Sequence, residues 1–286
     1  MQPALPAVLL ALSGAALSMA GAAIALFAIG LAAAKNDIVR ARGIYKIVAL
    51  TPLCFAVPLA VFGAEHFATP QAMLALVPRY MPWRMFWVYF VGLALIAAAL
   101  SIATRRQVRW SGMLFGVMMF LFVAMLAFPG ALKSGGRIPW TIVFRELSFG
   151  GAGLVLAGAA GVGRVPIAVT AIFFGVEHFL HPLALPGVPL EKEMPAWVPL
   201  SPWIDYLTGA FLIVAGVCFL LQRNVRLAAT YVGAWILLLV AAIYGPVMVA
   251  ALADPSAAVQ IEGLNYFADT LLFGGVILSL AAAGRK

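Results

Sequence analysis

Residues 47–67 read IVALTPLCFAVPLAVFGAEHF, and residues 165–179 read VPIAVTAIFFGVEHF. Each is an apolar run with no charge until it ends in a Glu-His pair, Glu65-His66 in one and Glu177-His178 in the other. Each also has a proline three residues past its final phenylalanine, at Pro70 and Pro182. Ionisable side chains are expensive inside a bilayer, so the same pair placed twice at the end of a spanning segment marks a candidate functional site.

The rest of the chain agrees with that reading. Of its 286 residues, 65% are hydrophobic and 10% are charged, and the mean hydropathy is +1.07. Soluble domains carry about 25% charged residues. The composition therefore predicts an all-α polytopic membrane protein. A span needs about 20 apolar residues, and that rule predicts nine helices, near residues 5–34, 44–67, 85–104, 110–132, 138–163, 165–180, 204–221, 227–253 and 263–284. The first 34 residues hold no charge, so they lack the basic start of a secretory signal and read as a retained helix.

The formal net charge of +8 does not point to nucleic acid. The basic residues sit between apolar runs, form no basic face, and act as topology signals. Cys54 and Cys218 stand alone in apolar segments. They read as small buried hydrophobes, which argues against a thiol-disulfide mechanism run by this chain alone.

The duplication extends beyond the Glu-His phrase. Tyr89 and Gly92 fall on Tyr206 and Gly209; Arg106, Val108 and Arg109 fall on Arg223, Val225 and Arg226 at the same offset; Phe149-Gly150-Gly151 falls on Phe273-Gly274-Gly275. The organisation expected is an N-terminal helix with a basic loop (residues 1–43) followed by two four-helix units, residues 44–163 and 164–286. Units of four helices preserve direction, so they are parallel repeats, and their matching motifs face each other at one depth.

Lys and Arg set the orientation. Lys35, Arg40, Arg42, Lys46, Arg105, Arg106, Arg109, Arg164, Arg223, Arg226, Arg285 and Lys286 fall on one side, and Arg79, Arg84, Lys133, Arg137 and Lys192 on the other. The richer side is predicted to be cytoplasmic. The N-terminus is then outside, the C-terminus inside, and the Glu-His pairs near the outer surface. A bacterial inner membrane is the expected location.

Other polar residues are expected at the same depth. Arg145 and Glu146 lie about 10 Å inside the fifth helix at 1.5 Å per residue. Asp269 lies comparably deep in the ninth helix, with Asn265 one turn shallower. Asp205 and Tyr206 open the seventh helix, and Tyr89 is the counterpart of Tyr206 in the third. Glu65, Glu146, Glu177, Asp205 and Asp269 face a single buried cation, Arg145. Such acids cannot all ionise together. An excess of acid beside histidines suits proton handling, a cation or a divalent metal. Glu65, His66, Glu177 and His178 are the candidate proton-handling residues and also the candidate metal ligands. Haem held by His66 and His178 is a further alternative. Arg145, Glu146, Asp269, Tyr89, Tyr206 and Trp203 are the candidate ligand-binding residues. Seven of these, Glu65, His66, Glu177, His178, Arg145, Glu146 and Asp269, are expected to line one shared cavity. Six prolines between Pro182 and Pro202 stiffen the longest outer loop, which reads as a lid over the acidic site or as plain packing.

A helix ending in Gly-x-x-His-Phe, then a proline-rich loop, then a Gly-containing helix in a four-helix unit resembles the DoxX-like membrane proteins. The resemblance covers nearly everything after Ile44, as two fused units. Its matching positions are Gly63, His66, Phe67 and Pro70, and Gly175, His178, Phe179 and Pro182. It implies a four-helix membrane fold and a link to redox work, since founding members look like subunits of a thiosulfate:quinone oxidoreductase. Three functions are therefore carried forward. The first is a redox-associated protein binding a quinone-like lipophilic molecule, with electrons supplied by a partner protein. The second is a cation or proton-coupled transporter, and the third a non-catalytic scaffold or assembly factor. Membrane lipids are partners in all three.

Overall fold

A computed structural model of the protein describes residues 12–284. Residues 5–11 of the first expected span, and Arg285 and Lys286, lie outside the described residues. The described residues form nine long helices: α1 (Gly14–Arg40), α2 (Thr51–Ala68), α3 (Arg84–Thr104), α4 (Val108–Ser134), α5 (Arg137–Leu156), α6 (Ala160–Leu180), α7 (Trp203–Leu220), α8 (Val225–Leu252) and α9 (Ala257–Ala283). Eight of them are long and apolar enough to cross a membrane. The exception, α5, has 20 residues and carries Arg137, Arg145 and Glu146. The chain is an all-α polytopic membrane protein.

Several boundaries differ from expectation for local reasons. The second span is broken: Tyr45–Val48 is a separate short helix, and α2 begins at Thr51 with Pro52 in its first turn, where proline is tolerated. The sixth helix starts before Arg164, at Ala160. Arg164 is accommodated there because its guanidinium donates to the carbonyls of Phe219 and Leu220 at the end of α7, where the regular i+4 bonds of the helix run out. The ninth helix starts at Ala257, earlier than residue 263.

α4 and α8 each pass through a five-residue π-helical segment, Val123–Ala127 and Val240–Tyr244. Pro129 and Pro246 explain both. A proline ring clashes with the carbonyl four residues before it, here those of Met125 and Ala242, and widening the helix at that point relieves the clash.

α2 packs on α3 and α6 on α7; α4 packs on α5 and α8 on α9; α6 lies against α5 and α2 against α9, with α5 and α9 in contact at the centre. α1 is added outside, against α2 and α3. The same contacts recur in detail. A Cβ on Gly63 would lie 3.0 Å from the Gly92 carbonyl oxygen and 2.7 Å from Ile96, while one on Gly175 would lie 2.9 Å from the Gly209 carbonyl oxygen and 2.5 Å from Ile213. Small residues let spanning helices approach this closely without a hydrophobic drive between them. One apolar core, including Phe55, Phe174, Phe219 and Phe273, runs through α2 to α9, and a smaller cluster around Met19, Val61 and Leu264 seats α1.

The bundle has two distinct ends. Asp37, Arg40, Arg42, Tyr45 and Arg226 line one cleft, and Arg105 is paired with Asp37 beside it. This is the basic end. The Glu-His pairs and the acids other than Asp37 lie at the opposite, acidic end.

Candidate functional site

At the centre of the acidic end, Arg145 of α5 donates from Nη1 to Asp269 Oδ2 of α9 (2.6 Å) and from Nη2 to Glu146 Oε1 (3.0 Å). The constant spacing between Phe149-Gly150-Gly151 and Phe273-Gly274-Gly275 puts Arg145 and Asp269 at the same position of the two halves. Matching positions carry opposite charges, and the two helices that meet at the centre pair them directly. One turn away on α9, Asn265 Nδ2 donates to Glu65 Oε1 of α2 at 3.0 Å. Glu65 and Glu191 lie within electrostatic range of Asp269. Glu191 accepts from the Tyr266 hydroxyl at 2.6 Å, and Lys192 pairs with Glu262 at 2.7 Å. Arg145 is thus the central cation, bound directly to Glu146 and Asp269, with Glu191 within its electrostatic range and Glu65 within that of Asp269.

Glu177 has different partners. Arg137 Nη1 reaches its Oε2 at 3.2 Å, and His181 Nε2 lies 3.8 Å from the same oxygen. Arg137 also donates from Nη2 to the carbonyl of Leu190 at 2.9 Å.

The two histidines begin alike and end differently. His66 Nδ1 lies 2.7 Å from the Phe62 carbonyl oxygen, and His178 Nδ1 lies 2.6 Å from that of Phe174. A ring nitrogen facing a carbonyl must carry the proton, so in each neutral ring Nε2 is an acceptor. His178 is fully buried, and its Nε2 accepts from the Gly187 N–H at 3.0 Å. Both its nitrogens are used, so it offers neither a metal nor a haem a ligand atom. His66 is only partly buried, and among the described residues its one hydrogen bond is that from Nδ1. Beside it Phe67 stacks on Tyr89, with ring centroids 5.7 Å apart, and both rings are exposed on the outside of the bundle. Phe179 stacks on Tyr206 in the same way, also at 5.7 Å, with Trp203 edge-on to Tyr206.

What seals His178 is the long loop. Residues 185–190, LPGVPL, are all buried, with Leu185, Val188 and Leu190 inside the main core. The segment enters the bundle as a plug. Irregular backbone at such depth survives only where protein satisfies its polar groups. Here His178 takes the Gly187 N–H, Thr270 Oγ1 donates to the Val188 carbonyl at 2.8 Å, and Arg137 donates to that of Leu190. Gly187 has φ +127°, and a Cβ there would stand 2.9 Å from Thr270 and 3.1 Å from the Tyr244 hydroxyl.

The seven residues expected to share one cavity therefore separate. Glu65, Arg145, Glu146 and Asp269 form one network. His178 holds the plug directly and Glu177 does so through Arg137, while His66 stands on α2 next to Phe67 of the exposed Phe67–Tyr89 stack. Among the described residues, no three His, Cys, Asp or Glu side chains converge as a metal-binding group; Glu65, His66, Glu177 and His178 do not do so. Sequence reading missed Arg137, Glu191, Tyr244 and Tyr266. Only Tyr244 had a local signal, its place beside Gly245-Pro246 in an otherwise regular helix. Arg137 and Glu191 read as ordinary loop charges.

Comparison with known families adds one partial match. A family described as a domain of unknown function, DUF8561, matches residues 55–134, most of α2 through the end of α4. This stretch contains Glu65, His66 and Tyr89 but no part of α5 to α9. No curated protein and no solved structure matches the chain.

Proposed function

We propose that the chain is a redox-associated membrane protein of two fused DoxX-like four-helix units, residues 44–163 and 164–286. In this reading it binds a quinone-like lipophilic molecule at its acidic end, facing outward from a bacterial inner membrane. The observation that carries the proposal is the inequality of the two histidines. His66 presents a partly buried Nε2 acceptor beside the exposed Phe67–Tyr89 stack, whereas its partner His178 is closed by the plug. A planar head group that stacks on those rings can donate a quinol hydroxyl to Nε2, and offset ring stacking adds about 0.5–1.5 kcal/mol. Quinone reduction takes up protons with its electrons. In this scheme the acid network of Glu65, Glu146 and Asp269 supplies a proton to His66 Nε2, and His66 passes it to a quinone oxygen as the electrons arrive, which leaves the quinol hydroxyl hydrogen-bonded to the neutral Nε2. The electrons come from a partner protein.

The test is a tryptophan-fluorescence titration of purified protein in nanodiscs with a short-tailed ubiquinone analogue. Saturable quenching is expected. His66→Ala and Tyr89→Leu should each weaken binding about tenfold, the scale of one lost contact. Tyr206→Leu, in the closed half, should leave it unchanged. No saturable binding, or binding indifferent to His66→Ala, overturns the proposal.

A cation or proton-coupled transporter is the second reading. The excess of carboxylates around one guanidinium favours it, and proton or sodium flux into proteoliposomes would distinguish it from the first.

A further inference from the structure

A second polar group lies beneath the plug on α7 and α8, apart from His66 and adjoining the Arg145 network through Asp269. Asp205, in the first turn of α7, is completely buried, and neither of its carboxylate oxygens has a hydrogen-bond partner. Oδ1 is 4.0 Å from His178 Nε2, too far for a hydrogen bond, and that nitrogen's lone pair already belongs to Gly187. The Tyr244 hydroxyl comes from the π-helical segment of α8. It is also buried and, although it adjoins Thr270, makes no well-formed hydrogen bond. The two Asp205 oxygens and the Tyr244 hydroxyl are thus buried around His178 and Gly187, and among the described residues neither Asp205 oxygen receives a hydrogen bond.

Among the described residues, the groups around Asp205 supply no cation. His178 on α6 is neutral, with Nδ1 donating and Nε2 accepting. Tyr244 on α8 is a hydroxyl. On α9, Asp269 and Tyr266 lie within electrostatic range of Tyr244, and Asp269 is bound by Arg145. The plug's own ionisable neighbours are engaged elsewhere: Glu191 with Tyr266, Lys192 with Glu262, and His181 with Glu177. A carboxylate buried with neither partner nor counter-ion is prohibitively costly. The first half holds Val88 and Ala127 at the positions matching Asp205 and Tyr244, so the fold does not require this polarity.

We infer that Asp205, Tyr244 and the plug backbone around Gly187 form an occluded site for a small monovalent cation, sodium or a proton, which neutralises the Asp205 carboxylate. The chemistry is that of oxygen ligands only, around one negative charge. Its setting, a widened helix beside irregular buried backbone, is the kind that coordinates such ions within membrane bundles. The plug closes the site from the acidic end, so exchange of the ion requires the 185–190 segment to withdraw.

The experiment measures thermal unfolding of the full chain in detergent. One arm titrates sodium chloride against choline chloride at constant ionic strength and pH. The other varies pH without sodium. Saturable stabilisation by sodium assigns a sodium site, and stabilisation by acid alone assigns a proton site. In either case Asp205→Asn should abolish the response, and Tyr244→Phe should shift its midpoint about tenfold if the hydroxyl is a ligand to sodium. Radioactive sodium binding gives a direct count for the first arm. A wild type that responds to neither ion overturns the inference, as does an Asp205→Asn protein that responds like wild type. If Asp205→Asn yields no folded protein, Asp205→Ser replaces it, and a wild-type response in that variant is equally contradictory.

Discussion

Arg145 holds two carboxylates directly, Asp269 and Glu146, and its Nε is buried without a partner. Removing it leaves those acids uncompensated. Arg145→Met should therefore destabilise the protein by about 3–5 kcal/mol, read from denaturant or thermal unfolding. Pairing it with Asp269→Asn should recover part of the loss. The histidines should part company in the same assay. His178→Ala strands the buried Gly187 N–H and should cost about 1–3 kcal/mol. His66→Ala removes only a bond to its own helix from a partly exposed ring and should cost well under that. The sequence identified every one of these side chains as a candidate but did not separate their duties. Glu-His is printed identically in both halves, and the difference lies in Gly187, nine residues beyond His178 and visible only once the loop has folded back.

At the scale of elements, the plug and the glycine crossings are the points where backbone shape decides the outcome. Gly187→Ala would force a side chain into a left-handed conformation and against Thr270 and Tyr244. It should expel or distort residues 185–190, seen as new protease sensitivity in the 181–202 loop with the helix content by circular dichroism unchanged. The helices themselves were legible because spanning segments advertise themselves by length and apolarity. Their ends were less so. A charge such as Arg164 looks like a terminus until its guanidinium is found on the carbonyls of Phe219 and Leu220. The π-helical segments were not anticipated, although Pro129 and Pro246 stand at matching places in α4 and α8. The loop's prolines indicated stiffness, but LPGVPL is too short a run to declare that it would be buried.

For the whole molecule, most of the Lys and Arg side chains outside the acidic clusters gather at one end, and the acidic clusters, with Arg137, Arg145 and Lys192 paired inside them, lie at the other. The Lys and Arg excess leads us to propose that the basic end faces the cytoplasm. A cysteine placed at the exposed Ser134 should react with an impermeant thiol reagent in intact cells, and one at Asn224 should not; the reverse pattern would invert the orientation. The duplication supplies two similar halves, and the structure makes them unequal. One half keeps a partly buried histidine next to an exposed aromatic stack. The other closes its histidine under a plug and buries Asp205 behind it. The equality was readable from the repeated motif. The inequality was not, because it depends on contacts between segments far apart in the chain. Its most direct measurement is mass-spectrometric mapping of histidines modified by diethylpyrocarbonate, with and without a short-tailed ubiquinone analogue. The account predicts that His66 is modified and that the quinone protects it, while His178 stays unmodified throughout. Equal modification of the two histidines, or modification of His66 that the quinone leaves untouched, would contradict it.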